Sequence, residues 1–149
     1  MKTFLILSLL AIPLHAEIRG AVRGGVFAGG KQDPVVTVEL EARHGNWSFV
    51  PAYDFIRGGY GVYAIDADVR RLFQLEHNTV WIGAGPTFVN SSSGSKTTWN
   101  ADAGFAWKTN SAWEPFVAAR YYSFRIPVFR DVLQEHGAVI SVGISRRFR

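Results

Sequence analysis

The chain contains no cysteine among its 149 residues, so no disulfide can stabilise it. Small exported domains often depend on disulfides, because they bury too little apolar surface to be stable without them. The sequence also shows no spacing of histidines and carboxylates typical of a metal site. We therefore expect neither a metal nor another cofactor, and stability must come from the fold itself.

A second absence is that of a membrane-spanning helix, which needs roughly 20 apolar residues. The longest apolar run, residues 4–12, is too short and follows the charged start Met1-Lys2. A charged start, a short apolar run and the small residue Ala16 are typical of a cleaved signal peptide. We predict a leader at residues 1–16 and a single domain at residues 17–149.

The net charge is +4 and the sequence pI is about 9.7. Such a balance can indicate nucleic-acid binding, but here the charges are scattered along the chain and the protein is expected to be exported. A nucleic-acid partner is therefore not expected.

After the leader, the dominant pattern is an alternation of apolar and polar residues, which predicts β-strands. In residues 34–43 one face carries Val36, Val38, Leu40 and Ala42, and the other carries Val35, Thr37, Glu39, Glu41 and Arg43. The same pattern predicts eight strands, near residues 17–27, 34–43, 47–57, 60–72, 78–89, 96–108, 113–124 and 137–148. Residues 125–136 are predicted to form one long connection, with a turn or two of helix at 129–135.

Two kinds of barrel are compatible with this alternation. With the polar face outside, a soluble ligand-binding barrel would result. With the apolar face outside, the barrel would meet lipid and its interior would be charged. The second arrangement is favoured because the polar face carries both signs of charge, which can pair inside. The predicted interior residues are Arg23, Glu39, Glu41, Asp54, Asp66, Asp68, Arg70, Asp102 and Arg120.

Aromatic residues near the strand ends also favour a membrane barrel, because such rings prefer the two membrane interfaces. One predicted girdle comprises Trp47, Phe49, Phe73, Trp107, Trp113 and Phe148 at the periplasmic side, and the other comprises Phe55, Tyr60, Tyr63, Phe88, Trp99 and Tyr121. The prediction is an all-β, eight-stranded, antiparallel up-and-down transmembrane barrel in the bacterial outer membrane. Its interior should be filled by side chains rather than form an open pore. Closure leaves no free edge, so a monomer is expected.

The run at residues 116–124 and the final strand at residues 138–148, which ends on Phe148, resemble the small porin-like outer-membrane barrels of the OmpA-barrel and OmpX type. Here Arg149 follows the closing aromatic residue. The resemblance implies a non-enzymatic outer-membrane protein with an envelope-structural or surface-interaction role. It also implies outer-membrane lipid and the barrel-insertion machinery as partners.

Barrels of this size also include lipid A-modifying enzymes, so a hydrolase or acyltransferase is an alternative. The best candidate group is His136, preceded by Glu135, with Ser123 and Ser141. The other two histidines of the domain, His44 and His77, fall in predicted periplasmic connections. Because no convincing triad emerges, no catalytic residue is predicted.

Basic residues in or beside the predicted outer loops face a leaflet whose lipid carries phosphates. These residues are Lys31, Arg57, Lys96, Arg125 and Arg130. We expect them to bind lipopolysaccharide phosphates.

Overall fold

The structure is a computed structural model, and it describes residues 16–28, 33–56, 62–91, 94–128 and 131–148. Within these ranges, the side chains of residues 91, 123–128 and 131–136 are outside the description. Eight strands account for nearly all of the described chain: β1 (Glu17–Ala28), β2 (Asp33–His44), β3 (Trp47–Ile56), β4 (Val62–Gln74), β5 (Asn78–Ser91), β6 (Gly94–Trp107), β7 (Trp113–Val128) and β8 (Asp131–Phe148).

Every strand pairs antiparallel with the next one along the chain, and β1 also pairs with β8 to close the barrel. This seam runs from Ile18 opposite Phe148 to Ala28 opposite Ala138. A closed sheet has no edge strand with unpaired backbone groups. The prediction of an eight-stranded, up-and-down antiparallel barrel is confirmed.

The two ends of the barrel differ. At one end, which we call the turn end, lie the start of β1, the end of β8 and the connections at residues 45–46, 75–77 and 108–112. Gly45 in the first of these turns has a φ of 59°, a left-handed conformation that glycine adopts without steric cost. At the opposite end, the hairpin end, β7 and β8 run on as a long pair as far as Val128 and Asp131.

The predicted connection at residues 125–136, and the helix within it, are wrong. The two strands stay in register from Ser123 opposite His136 to Val128 opposite Asp131, so the backbone groups pair across the hairpin rather than within a helix. The stretch contains the β-branched residues Ile126, Val128 and Val132, which favour strands.

The predicted division into two faces is observed. The outer surface exposes large apolar side chains, among them Val22, Val38, Leu40, Ile65, Val69, Ile82, Ile140 and Val142. The buried side chains include acids, arginines, serines and threonines. No helix in the described part of the chain is long and apolar enough to cross a membrane.

Large interior side chains fit because glycines lie opposite them. Trp81 is 4% exposed, and a Cβ added to Gly104, its register partner on β6, would lie 2.0 Å from the indole ring. In the same way, a Cβ on Gly143 would lie 2.5 Å from the ring of Phe116. The edge of the Phe116 ring packs against Trp81, with ring centroids 5.8 Å apart. Small and large residues thus alternate around a narrow interior.

This packing predicts different costs for the same substitution at two glycines. Gly104→Ala forces the Trp81 ring to move and should lower the free energy of unfolding by about 1–3 kcal/mol, the usual cost of overpacking. Gly24→Ala should have little effect, because a Cβ at Gly24 meets nothing within 4 Å. Urea unfolding in detergent micelles, followed by tryptophan fluorescence, measures both. Equal destabilisation of the two variants would contradict the interior position of Trp81.

Candidate functional site

The centre of the interior is organised around Arg120 on β7. Its guanidinium Nη1 lies 3.0 Å from Asp54 Oδ2 on β3 and 2.7 Å from Asp66 Oδ2 on β4. Its Nη2 lies 2.8 Å from Asp68 Oδ2, also on β4. All four side chains are almost completely buried. Asp66 and Asp68 share one face of a strand, and Arg120 neutralises the repulsion between them.

A second arginine, Arg70 on β4, joins other strands. It contacts Glu39 on β2 at 3.1 Å and Asp102 on β6 at 2.8 Å. Its guanidinium also lies over the ring of Trp81, 5.4 Å from the centroid, while Trp81 Nε1 donates to Asp102 at 3.0 Å. Arg23 on β1 makes a longer contact of 3.7 Å with Glu39. Two buried arginines therefore link β2, β3, β4, β6 and β7 across the interior.

Neutral polar side chains complete this network, and the sequence prediction did not include them. Asn100 Nδ2 donates to Asp68 at 2.7 Å and to Asp66 at 3.2 Å. The Thr87 hydroxyl donates to Asp66 at 2.6 Å, and the Tyr122 hydroxyl donates to Asp66 at 3.2 Å. These residues, like Trp81, occupy inward positions of their strands' alternation, and that position is the signal that could have identified them.

Acids outnumber arginines in this central network. It contains five carboxylates and three guanidinium groups, an excess of two: Glu39, Asp54, Asp66, Asp68 and Asp102 against Arg23, Arg70 and Arg120. In a medium of low dielectric constant, unpaired charge is costly. The arginines are therefore the limiting members, and each is expected to matter more than any single acid.

Two groups of buried apolar side chains flank the network. The group towards the hairpin end consists of Phe27, Val35, Ile56, Val62, Ala64, Val89, Tyr122 and Val139. The group towards the turn end consists of Ala21, Leu72, Trp81, Ala106, Phe116 and Ala118. The charged centre is therefore packed between apolar layers.

Beyond the apolar group at the turn end, the barrel opens into a polar cavity of about 520 Å³. Arg19, one of the residues that line it, pairs with both Glu17 and Glu114. Arg43, Lys108 and Arg147 also contribute to the wall. At this mouth Glu17 and Arg147 are partly exposed, whereas Arg19 and Glu114 are as buried as the central network.

All nine predicted interior residues are buried. Eight of them form the central network, whereas Glu41 lies closer to the turn end and contacts Arg43 at 2.9 Å. Among the predicted outer-rim cations, Lys96 on β6 is exposed. Arg125 lies on β7 with its side chain outside the description, and Lys31, Arg57 and Arg130 are outside the described residues.

The candidate catalytic group is only partly assembled. Ser123 and His136 are register partners, but their side chains are outside the description. Ser141 lies five residues further along β8, roughly 17 Å from His136 at the usual strand rise. Its buried hydroxyl donates to the Ala118 carbonyl at 3.3 Å. In the described part of the chain, no group of three or more histidines and carboxylates has a metal-binding arrangement.

We predict that the network stabilises the barrel through its arginines. Arg120→Gln leaves three buried carboxylates without their shared cation and should lower the free energy of unfolding by about 3–5 kcal/mol. Asp66→Asn should cost less, because it removes one of the excess charges. Arg147→Gln is the control, since this arginine is 42% exposed and should change stability by less than about 1 kcal/mol. If Arg120→Gln unfolds at the same urea concentration as the control, the network has no stabilising role.

No protein-family model and no curated protein sequence matches the chain. Several solved structures do. The surface protein NspA of Neisseria is 12% identical with a TM-score of 0.72, over 89% of this chain and 97% of that protein. The N-terminal β-barrel domain of OprF from Pseudomonas aeruginosa is 10% identical with a TM-score of 0.66, over 89% and 97%. The outer-membrane protein Ail of Yersinia pestis is 11% identical with a TM-score of 0.56, over 90% and 100%.

At identities this low, the structural likeness establishes a shared fold and nothing more. The membrane location follows from the structure's own polarity, because a closed barrel with an apolar outer face and a charged interior is suited to lipid. The chain has the fold of the small eight-stranded outer-membrane barrels. Bacterial barrels with a lipid-facing outer surface lie in the outer membrane, which is its location, as the sequence predicted.

Proposed function

We propose that the protein is a non-enzymatic outer-membrane barrel with a closed interior, which serves an envelope-structural or surface-interaction role. The observation that carries this proposal is the buried contact of Arg120 with Asp54, Asp66 and Asp68 at the centre of the barrel. A solute crossing the barrel would have to separate these groups, and each separation would leave charges unpaired in a medium of low dielectric constant.

The apolar layers on both sides of the network support a closed interior. Phe27 and Tyr122 towards the hairpin end, and Leu72 and Trp81 towards the turn end, are at most 4% exposed. An eight-stranded barrel is just wide enough for side chains to fill. With the interior occupied, the surfaces left for function are those facing lipid and those at the two ends.

A lipid A-modifying hydrolase or acyltransferase is the second candidate. It would need a nucleophile and a base within hydrogen-bond reach. Ser141 is buried and hydrogen-bonded to the backbone, which is a poor environment for a nucleophile. Among the similar structures, one is named a surface protein and another an attachment invasion locus protein, and both names fit a surface role better than catalysis.

A soluble ligand-binding barrel is disfavoured by the exposed apolar outer face.

At the hairpin end, we propose that Lys31, Arg57, Lys96, Arg125 and Arg130 contact lipopolysaccharide phosphates. Lys96 is exposed near the end of the β5–β6 hairpin, where a leaflet rich in phosphates would lie. Ail, which has the same fold, was solved in complex with the heparin analogue sucrose octasulfate. A polyanion at a barrel of this type therefore has a structural precedent, and lipopolysaccharide is the polyanion of this membrane.

A closed interior predicts that the barrel does not conduct ions. Purified protein reconstituted into a planar lipid bilayer should give no stepwise current, in contrast to an open porin measured in parallel. Insertion is checked by heat modifiability, since a folded barrel migrates differently in unheated and boiled samples on a denaturing gel. Regular unitary currents from protein that passes this check would show that the network leaves a pore.

The lipopolysaccharide proposal predicts an effect of charge reversal at the hairpin end only. The double variant Arg57→Glu and Arg125→Glu should co-purify with several-fold less lipopolysaccharide per barrel, because phosphate contacts are replaced by repulsion. Lys108→Glu is the control for position, because it reverses one charge at an exposed site of the turn end. Unchanged co-purification in the double variant, or an equal loss in the control, would contradict the proposal.

A further inference from the structure

The outer surface near the turn end carries two arginines that are each stacked on a tryptophan. Arg71 on β4 is the register partner of Trp47 on β3, and its guanidinium carbon lies 5.0 Å from the ring centroid. Arg146 on β8 is the register partner of Trp113 on β7, at 5.1 Å. The two pairs have the same cross-strand geometry. Because β3–β4 and β7–β8 are four strands apart in a closed barrel of eight, they lie on opposite walls.

Both pairs face outward within the aromatic girdle of the turn end. Trp47 is 53% exposed and Trp113 is 44% exposed. Each arginine is followed two residues later, on the same outward face, by an exposed phenylalanine, Phe73 on β4 and Phe148 on β8. Aromatic girdles mark the level of the lipid headgroups, so the two guanidinium groups are held at that level.

Neither arginine forms an ion pair with an acid among the described residues. This contrasts with Arg70 and Arg147, their immediate neighbours in sequence, which face inward and contact carboxylates. A guanidinium that lies over an indole ring keeps N–H groups free to bind other partners, and these groups match the oxygens of a phosphate. At an interface, the available anion is the headgroup of a lipid.

We propose that each Arg–Trp pair binds the phosphate of one anionic phospholipid headgroup in the leaflet at the turn end. In bacterial barrels the short turns face the periplasm, so this leaflet is the one built of phospholipid rather than lipopolysaccharide. The inference depends on this orientation and on the membrane fold, but not on the proposed contacts at the hairpin end. It assigns the barrel two lipid sites, on opposite walls, that would fix its depth in the membrane.

The test is lipid binding by the intact barrel in a nonionic detergent, with phosphatidylglycerol as the probe and native mass spectrometry as the readout. The wild type should retain up to two phosphatidylglycerol molecules more than the double variant Arg71→Gln and Arg146→Gln, and should bind zwitterionic phosphatidylcholine less tightly. Arg71→Gln and Arg146→Gln should each remove one site, with binding there weakened about tenfold or more, as expected for the loss of a charge-assisted hydrogen bond. The double variant should lose both sites.

Arg147→Gln is the matched control. It removes the same charge one residue away from Arg146, on the face that lines the mouth of the barrel. It should retain both lipids. Trp113→Leu provides a second variant that keeps the Arg146 charge but removes the supporting ring, and it should weaken one site. Each variant is first checked for folding by heat modifiability, and none of the replaced side chains belongs to the central network.

Three results would overturn the inference. The first is equal lipid retention by the wild type and the double variant. The second is an equal loss in Arg147→Gln, which would indicate diffuse attraction to net charge rather than two sites. The third is displacement of the lipid by millimolar inorganic phosphate, which would show a phosphate site that does not need a lipid. Every variant keeps the same hairpin-end cations, so any phosphatidylglycerol bound there adds equally to all of them, and the differences between variants report the turn end alone.

Discussion

In hydrocarbon, a β-strand can leave no backbone N–H or C=O group unpaired, because lipid offers no hydrogen-bond partner. The pairing of β1 with β8 satisfies this constraint, since it joins the first and last strands along most of the length of β1. Closing a sheet of eight strands fixes a narrow interior. Every second residue of each strand must then fit into that space. The composition of the interior is therefore a consequence of closure.

Narrowness explains why large side chains and glycines are distributed as they are. Trp81 can point inward only because its register partner Gly104 has no side chain, and Phe116 depends in the same way on Gly143. The rings then fill the level between the polar mouth and the central charges. This layer also contributes to the electrostatics, because Trp81 donates a hydrogen bond to Asp102 and lies under Arg70. Packing and charge pairing are parts of one arrangement.

The sequence could predict the strands, the lipid-facing side and the charged residues of the interior, because a period of two assigns each residue to a face. It could not predict the pairings. Arg120 is 52 residues from Asp68 and 66 from Asp54 along the chain. To predict these contacts, the register of every intervening strand must be known. Nor did the pattern identify Trp81 as an interior residue, because its apolar side chain departs from the polar character of that face.

The predicted connection at residues 125–136 failed for a related reason. Alternation is weak there, which predicts a loop, but pairing between two strands does not require a polar and an apolar face. Outside a membrane, both faces of a hairpin can meet water, so the pattern used to find lipid-facing strands disappears. The end of alternation on β7 and β8 is therefore not the point where the strands end. The outward arginines Arg71 and Arg146 are informative for a related reason, because each interrupts an apolar face within the aromatic girdle of the turn end. An outward charge at that level can pair with an anion from the membrane, whereas an outward charge beyond it meets only water.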